Sequence, residues 1–356
     1  MRYKILPFFL PHLGCPHKCV FCDQRTITGN SLKISVQKIC KQIEAFGLDL
    51  RFTHSSQIRK EIAFYGSSFT AIPEKLQRAL LEPAFQALIK RQIDGIRIST
   101  RPDYCDAQII RLLNEYKVKT VELGVQSLDP QVLRQSGRGH GPEESLQALK
   151  MLKNEGFITG VQLMPGLPGE DRSSFLSTIH QVISLKPEFV RLYPALVIRG
   201  TPLEKLFQKG QYNPISLKEA VNLCRDALIL LRKSGIKVIR CGLQPTPSLQ
   251  RKGSICAGPF HPAFGELVES AILFDQVNKS IKENAFSSNF KETIFIKSSP
   301  RQFSKLKGQK SENLKRLRLL YPRIEIFMTQ DTHLPDSVIR IEKKSGYFWD
   351  IQNLIT

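Results

Sequence analysis

Short apolar runs recur along the first two thirds of the chain and alternate with stretches of helical periodicity. The runs are rich in Ile, Val, Leu and Phe, which is typical of strands buried on both faces. Six strands are predicted, with a further candidate at the end: Leu6–Leu10, Ile62–Gly66, Gly95–Ser99, Thr120–Gly124, Gly160–Met164, Phe189–Tyr193 and Lys237–Gly242. The stretches between them predict helices: Ile34–Phe46, Pro73–Lys90, Asp106–Tyr116, Pro142–Asn154, Asp171–Leu185 and Leu217–Lys233.

Regular alternation of strands and helices implies parallel strands joined by right-handed crossovers. A doubly wound sheet and a barrel both satisfy this pattern, and six or seven units favour a partial (βα)6 TIM-type barrel over a complete one. The Gly, Pro and Ser content rises around residues 242–265, where the units stop. We therefore predict an α/β core over 1–245, a Gly/Pro-rich connecting loop over 246–270 and a small α+β domain over 271–356.

The last part of the chain has a different pattern and a strong positive charge. It predicts a helix from about Ala271, strands at 293–297, 324–328 and 338–342, and a basic helix over Ser304–Leu320. The whole chain has 52 Lys and Arg against 32 Asp and Glu, a net charge of +20. This charge favours a polyanionic partner such as RNA for the basic C-terminal domain, with a solvated helix face as the alternative.

No window of the sequence approaches the roughly 20 consecutive apolar residues that a membrane-spanning helix requires. The first residues lack the apolar run of a cleavable signal peptide. We therefore expect a cytoplasmic protein without a membrane partner. In such a chain, eight cysteines indicate metal binding or redox chemistry rather than disulfides.

Three of the eight cysteines lie close together, directly after the first predicted strand. Cys15, Cys19 and Cys22 have the spacing Cys-x3-Cys-x2-Cys, and thiolates are soft ligands suited to iron–sulfur clusters or zinc. Each thiolate can bind one iron of a [4Fe-4S] cluster, which leaves the fourth iron open for a small molecule. In the alternative, His12 or His17 completes a zinc site with the same thiols.

This motif, with the aromatic Phe21 before the last cysteine, resembles the signature of the radical S-adenosylmethionine (SAM) superfamily. The resemblance implies a [4Fe-4S] cluster with SAM bound to its open iron. It also implies an enzyme that reductively cleaves SAM to a 5′-deoxyadenosyl radical. The electron for this cleavage would come from a donor protein such as flavodoxin or ferredoxin. The cofactor carries this chemistry and the protein orients it.

Motif-like segments follow the second and third strands, at the sheet edge where βα units bind ligands. The segment after the second strand resembles the glycine-rich turn that meets the SAM amino group. The resemblance gives this role to Gly66, Ser67 and Ser68, although Ser67 replaces the usual second glycine. After the third strand, Arg101 lies in a segment that resembles the Arg-Pro-Asp-Tyr of the Elongator catalytic subunit, and it can hold a carboxylate or phosphate.

The fourth and fifth strands are followed by further candidate contacts to SAM. Gln126 is followed twelve residues later by Arg138, a spacing that also occurs in oxygen-independent coproporphyrinogen oxidases. There the Gln contacts the SAM ribose and the Arg its carboxylate, and the resemblance implies the same roles here. Gln162 stands where those enzymes have an aspartate, and its neutral amide can hydrogen-bond the ribose or adenine.

From about Ile5 to Gln244 the chain resembles the Elongator-like branch of the radical SAM superfamily, particularly the short bacterial form without an acetyltransferase domain. The resemblance favours tRNA as the substrate. Two alternatives stay open: a coproporphyrinogen oxidase-like enzyme acting on an anionic small molecule, and a non-catalytic protein that binds a cluster or SAM. Two further residues are candidates. Cys256 could be a hydrogen-atom donor or a substrate thiol, and His261 lies on a loop able to close over the site. The alternative for both is an ordinary packing role.

Overall fold

Parallel strands form one sheet in the first part of the molecule. The computed structural model describes residues 2–29, 35–48, 58–284 and 292–354. In chain order the first eight strands are β1 (Arg2–Phe9), β2 (Ile58–Tyr65), β3 (Gly95–Thr100), β4 (Val118–Gln126), β5 (Ile158–Leu163), β6 (Phe189–Leu192), β7 (Val197–Ile198) and β8 (Lys237–Cys241). All except β7 pair in parallel in the order β1-β2-β3-β4-β5-β6-β8. The predicted partial TIM-type barrel is confirmed, and the further candidate strand is β8.

Helices follow most of these strands. The first nine within the described residues are α1 (Gln24–Thr28), α2 (Val36–Gly47), α3 (Glu74–Ile89), α4 (Ala107–Glu115), α5 (Pro130–Gln135), α6 (Pro142–Asn154), α7 (Arg172–Leu185), α8 (Pro202–Gln208) and α9 (Leu217–Lys233). Side-chain caps define several starts: the carboxylates of Asp106 and Asp171 accept hydrogen bonds from Ile109 N and Ser174 N, both at 2.8 Å. These caps pair N–H groups that the first turn of a helix leaves unbonded.

The two faces of the barrel sheet differ in chemistry. On β2, Ile62 and Phe64 are fully buried, and the Phe64 ring packs against that of Phe69 with centroids 5.4 Å apart. The alternate strand positions, which point to the other face, carry the buried charges of Glu61 on β2 and Glu122 on β4. The apolar face therefore forms the core with the helices, and the barrel interior is polar.

The chain divides by its contacts into two compact units. The first contains residues 1–216 and 234–260, and the second contains 217–233 and 261–356, so that α9 belongs to the second unit. Residues 246–270, predicted as a connecting loop, contain α10 (Pro247–Gln250), β9 (Ile255–Ala257) and the beginning of α11 (Phe264–Glu283). Strand β9 pairs with β7 in a small antiparallel ribbon.

The second unit contains a four-stranded sheet in addition to α9 and α11. Its remaining elements are β10 (Glu292–Ser298), α12 (Pro300–Lys307), α13 (Glu312–Leu320), β11 (Ile324–Gln330), β12 (Val338–Lys343) and β13 (Phe348–Gln352). The strand order is β11-β10-β12-β13, with β10 and β11 parallel and the other pairs antiparallel. The sheet buries Ile294, Ile296 and Ile341 on one face.

The prediction of one basic helix over Ser304–Leu320 was wrong, because the chain breaks between α12 and α13. Gly308, Lys310 and Ser311 have φ values of 77°, 50° and 62°, and residues with positive φ do not continue a right-handed helix. No helix in the described part of the chain is long and apolar enough to cross a membrane.

Candidate functional site

The cysteine-containing loop between β1 and α1 is held on one side by the turn that follows β2. His12 N donates to Gly66 O over 3.1 Å, and Ser68 N donates to Leu13 O over 3.2 Å. Gly14 has a φ of +71°, and a Cβ there would lie 2.6 Å from Ser68 O. Only glycine therefore allows the two backbone segments to approach this closely.

The opposite side of the loop is held by residues after α5 and at the start of α8. Val20 N donates to Ser136 O over 3.1 Å, and Leu203 N donates to Val20 O over 2.8 Å. Cys19 and Phe21 are buried in an apolar cluster that also contains Val132, Leu167, Val197 and Tyr212. The loop is therefore fixed by both backbone hydrogen bonds and side-chain burial.

Each of the three thiols has a distinct polar environment. Cys15 Sγ lies 3.4 Å from Ser68 Oγ, and Cys19 Sγ accepts a hydrogen bond from Arg138 Nη1 over 3.2 Å. Burial, followed by the charges of Cys19 and Cys15, raises the pKa of Cys22 to about 12. The three sulfur atoms are thus close enough to influence one another, and a cation is placed beside them.

Arg138 connects the cysteine loop to the end of β4. Its Nη2 donates to Gly124 O and lies 3.2 Å from His140 Nε2. Because that nitrogen faces a donor, it accepts, and His140 Nδ1–H donates to Gly141 O over 2.9 Å. Burial first, and then the adjacent Arg138, lower the pKa of His140, which favours the neutral ring that this arrangement requires.

Arg101 has protein partners for most of its guanidinium group. Its Nε and Nη2 donate to the Asp103 carboxylate over 2.9 and 2.8 Å, and Nη2 also donates to Arg138 O. The observed geometry makes Arg101 a support for the segment that carries Arg138. Its predicted contact with SAM stays a prediction.

Gln126 and Gln162 lie on neighbouring strands at the C-terminal edge of the sheet. Gln126 has a φ of +70° and follows an irregularity in the pairing of β4 with β5. Gln162 Nε2 is 3.4 Å from Gln126 Oε1. A Cβ at Gly124 would approach Gln126 Nε2 to 3.0 Å, so the small residue leaves room for the amide.

One cavity of about 1080 Å³ collects these groups at the C-terminal ends of the strands. All the residues that the sequence predicted as ligands line it: Cys15, Cys19, Cys22, Gly66, Ser67, Ser68, Arg101, Gln126, Arg138 and Gln162. The fold therefore brings together residues separated by more than a hundred positions in the chain. Their individual ligand roles stay predictions.

The site fits an iron–sulfur cluster and a polar ligand. Among the described residues, the buried Ser67 Oγ and Arg138 Nε have no hydrogen-bond partner, and both residues line the cavity. No three His, Cys, Asp or Glu side chains in the described part converge as ligands of a single metal ion, whereas in a cubane cluster each thiolate binds a different iron. His12 Nε2 already accepts from Gln24 N over 3.0 Å.

Sequence reasoning missed a buried charge network that forms part of the cavity wall. Glu122 accepts hydrogen bonds from Arg97 (3.0 Å), Arg191 (2.7 Å) and the Tyr65 hydroxyl (2.9 Å). Arg97 also pairs with Glu61 over 2.6 Å. A sequence feature that could have revealed this network is a charged residue within an otherwise uncharged predicted strand, such as Arg97 in Gly95–Thr100.

The two further candidates from the sequence lie outside the set of cavity-lining residues. Cys256 Sγ donates to Glu204 Oε1 over 3.2 Å, and Cys256 packs against the apolar cluster that contains Cys19. His261 belongs to the second unit, where its Nδ1 accepts from Ala263 N over 3.0 Å. The predicted roles of Cys256 and His261 stay predictions.

Known proteins resemble the chain in both sequence and fold. Residues 10–182 match the model of the radical SAM superfamily, and 187–273 match that of the radical SAM C-terminal domain. The chain is 35% identical over 139 residues to a tRNA uridine(34) acetyltransferase of Methanocaldococcus jannaschii, covering 38% of this chain and 26% of that protein. It is 30% identical over 192 residues to human Elongator complex protein 3, covering 48% and 35%.

The fold resembles a solved archaeal structure. The Elp3 of Methanocaldococcus infernus with an N-terminal deletion superposes with a TM-score of 0.57 and 22% identity. The superposition covers 79% of this chain and 63% of that one, and at this identity the likeness concerns the fold. The chain spans between a quarter and about a third of the length of the two curated relatives above.

Proposed function

This chain belongs to the radical SAM superfamily of enzymes, which use a [4Fe-4S] cluster and SAM, and we propose that it modifies RNA, with tRNA as the substrate. The observation that carries this proposal is its 35% identity over 139 residues to a tRNA uridine(34) acetyltransferase. Its net charge of +20 supports a polyanionic substrate. The position and chemistry of the modification are left to experiment.

We propose that Cys15, Cys19 and Cys22 hold the cluster. When bound, the cluster and SAM supply reductive cleavage and hydrogen-atom abstraction. The protein's part is to position and stabilise: Arg138 Nη1 donates to Cys19 Sγ, and a cation at this place stabilises the negative charge of a thiolate. The tight packing at Gly14 keeps the loop against the turn after β2.

The same cavity offers polar groups for SAM. The buried Ser67 Oγ and Arg138 Nε lack protein partners among the described residues, and such groups stabilise a structure only when they are hydrogen-bonded. We assign to them, with the turn at Gly66, the binding of the amino-acid end of SAM. Gln126 and Gln162, which face each other at 3.4 Å, are the proposed contacts to its nucleoside end.

The proposal is tested with anaerobically reconstituted protein, dithionite, SAM and purified tRNA. Formation of 5′-deoxyadenosine is measured by chromatography, and digested tRNA is analysed for a new nucleoside by mass spectrometry. We expect 5′-deoxyadenosine to form faster with tRNA than with a neutral polymer, together with a change in nucleoside mass. Cys19→Ala abolishes both signals, whereas the control Cys241→Ala, outside the cavity lining, keeps them.

Two results would contradict the proposal in different ways. If 5′-deoxyadenosine forms but tRNA neither accelerates it nor changes in mass, RNA is not the substrate. Coproporphyrinogen then becomes the compound to assay. If the reconstituted protein binds SAM and forms no 5′-deoxyadenosine under any condition, it is a binding protein and the assignment of an RNA-modifying activity fails.

A further inference from the structure

Arg240 is a cavity residue that sequence analysis did not single out. It lies on β8 opposite Arg191 of β6 in the parallel pairing, and both arginines line the cavity. Arg240 is half-buried. Two cations therefore stand side by side on neighbouring strands, and their partners decide what each can do.

The charge of Arg191 is neutralised within the protein. Its Nε donates to Glu122 Oε2 over 2.7 Å and its Nη2 to Glu122 Oε1 over 3.3 Å. Glu122 also binds Arg97, whose second carboxylate partner is Glu61. Two arginines and two glutamates thus form a network without net charge, in which Glu122 compensates the charge of Arg191.

Arg240 has no such compensation. Within the residues that the structure describes, it takes part in no ion pair, and its only hydrogen bond runs from Nε to Gly242 O over 3.3 Å. A guanidinium group has five N–H donors in a planar fork that matches a carboxylate or a phosphate. The four terminal N–H groups of Arg240 are therefore available to a ligand in the cavity.

Tyr193, two residues after Arg191, supplies a second donor to the same place. Its hydroxyl oxygen accepts from Arg191 Nη1 over 3.2 Å, and no described residue accepts its proton. Burial raises the pKa of Tyr193, so the hydroxyl keeps this proton at physiological pH. Tyr193 follows Arg191 at the alternate position on the same face, Arg191 is paired with Arg240, and Tyr193 and Arg240 both line the cavity.

The cavity has room for a second ligand. Its volume of about 1080 Å³ exceeds the roughly 300–1,000 Å³ that is typical of a site for one small molecule. The proposed contacts to SAM come from the ends of β2, β4 and β5 and from the loop that carries Arg138. Arg240 comes from β8, the edge strand of the sheet, and has no part in that set.

We propose that Arg240 and the Tyr193 hydroxyl form an anion subsite that binds a phosphate group of the RNA substrate inside the barrel. The choice of a nucleotide phosphate rests on the proposed function. The same donors would also fit a carboxylate, either that of SAM or that of a small-molecule substrate. The experiment separates these sources.

The test measures binding to the reconstituted holoenzyme by calorimetry. With SAM saturating, uridine 5′-monophosphate and uridine are titrated as probes that differ only in the phosphate, and coproporphyrin III is titrated as a polycarboxylate. SAM is titrated separately. The variants are Arg240→Gln, Arg240→Lys and Tyr193→Phe, with Arg251→Gln as the control because Arg251 is exposed and outside the cavity lining.

We expect the wild type to bind the monophosphate about tenfold more tightly than uridine, as charge-assisted hydrogen bonds allow. Arg240→Gln removes this preference, Arg240→Lys keeps part of it and Tyr193→Phe reduces it. The control and the affinity for SAM stay unchanged. Circular dichroism spectra equal to that of the wild type establish that the variants are folded. If Arg240→Gln is not folded, Arg240→Lys replaces it in the test.

Three outcomes would overturn the subsite. The first is that Arg240→Gln weakens SAM binding and leaves the preference for the phosphate intact. The second is that the wild type does not distinguish the monophosphate from uridine. The third is that only coproporphyrin binding depends on Arg240. If the phosphate preference depends on Arg240 but tRNA is not modified, the subsite stands and the proposed function fails.

Discussion

A single guanidinium group links the cysteine loop to the end of a central strand. Arg138 contacts both Cys19 Sγ and Gly124 O, and its backbone carbonyl is bound by Arg101. A role for Arg138 was implied by the resemblance of the Gln126–Arg138 spacing to that of the coproporphyrinogen oxidases. Its partners could not be predicted, because they come from segments that are remote in sequence and meet only in the folded barrel.

Gly14 gives a prediction at this scale. Gly14→Ala places a Cβ 2.6 Å from Ser68 O, whereas at Gly156, which has a similar φ of +80°, nothing lies within 4 Å. Both alanine variants carry the strain of a positive φ, about 1 kcal/mol, and only Gly14→Ala adds a backbone clash. We therefore expect Gly14→Ala to lower iron content after reconstitution, measured per chain, while Gly156→Ala retains it. Equal iron content in the two variants would contradict the tight approach of the loop.

At the scale of the elements, the apolar periodicity of the strands and helices predicted the barrel. It did not predict which residues of each strand face the helices and which face the barrel interior. Both faces of the central strands β3 and β6 are largely buried, so that a single charged residue, Arg97 or Arg191, interrupts each apolar run. Glu122 on β4 and Arg191 on β6 pair because parallel strands place them in adjacent rows. Similarly, the break at Gly308 divided a basic stretch whose composition alone predicted one helix.

The turn between β5 and α7 contains a carboxyl group that makes stability depend on pH. Glu170 Oε2 accepts from Gly166 N over 2.7 Å, and its Oε1 is buried without a partner among the described residues. Burial raises the pKa of Glu170 from 4.5 to about 8. Between pH 4.5 and 8 the folded protein therefore retains a proton on Glu170 that the unfolded chain releases. The free energy of unfolding consequently falls as the pH rises from 4.5 through 8.

Glu170→Gln keeps the acceptor for Gly166 N and removes the titration. We expect the thermal midpoint of this variant, relative to that of the wild type, to be a few degrees higher at pH 8.5 than at pH 5.5. A stability change of 1 kcal/mol shifts the midpoint by about 2–4 °C in domains of 150–250 residues. Glu115→Gln, in which the replaced carboxylate is exposed, is the matched control and is expected to show no such gain. A difference that is constant across this pH range would refute the assignment.

At the scale of the whole molecule, the excess of 20 positive charges is shared by both units, with +14 in the first and +6 in the second. Lys310 and Lys315 are exposed there, in the basic stretch that the sequence associated with RNA. Counterion release makes the affinity for a nucleic acid fall as salt rises, in proportion to the number of phosphates neutralised.

The salt dependence of tRNA binding tests the role of this basic stretch. We expect the double variant Lys310→Gln, Lys315→Gln to reduce the slope of log K against log salt by about 1.4–1.8, or about 0.7–0.9 for each phosphate that a lysine no longer neutralises. The control replaces Lys90 and Lys209, which are exposed lysines of the first unit, and is expected to leave the slope unchanged. Identical slopes for the two double variants would show that RNA does not lie along Lys310 and Lys315.

The sequence by itself determined the order of strands and helices, the cysteine motif and the positions of the candidate ligands, because these depend on periodicity and on spacing along the chain. Only the tertiary structure decided which groups share the cavity and which charges are already neutralised there. Arg191 and Arg240 illustrate the difference: each is one arginine in an apolar strand. Folding gives the first a carboxylate partner from β4 and leaves the second without an ion pair among the described residues, because pairing depends on which side chains the sheet brings together.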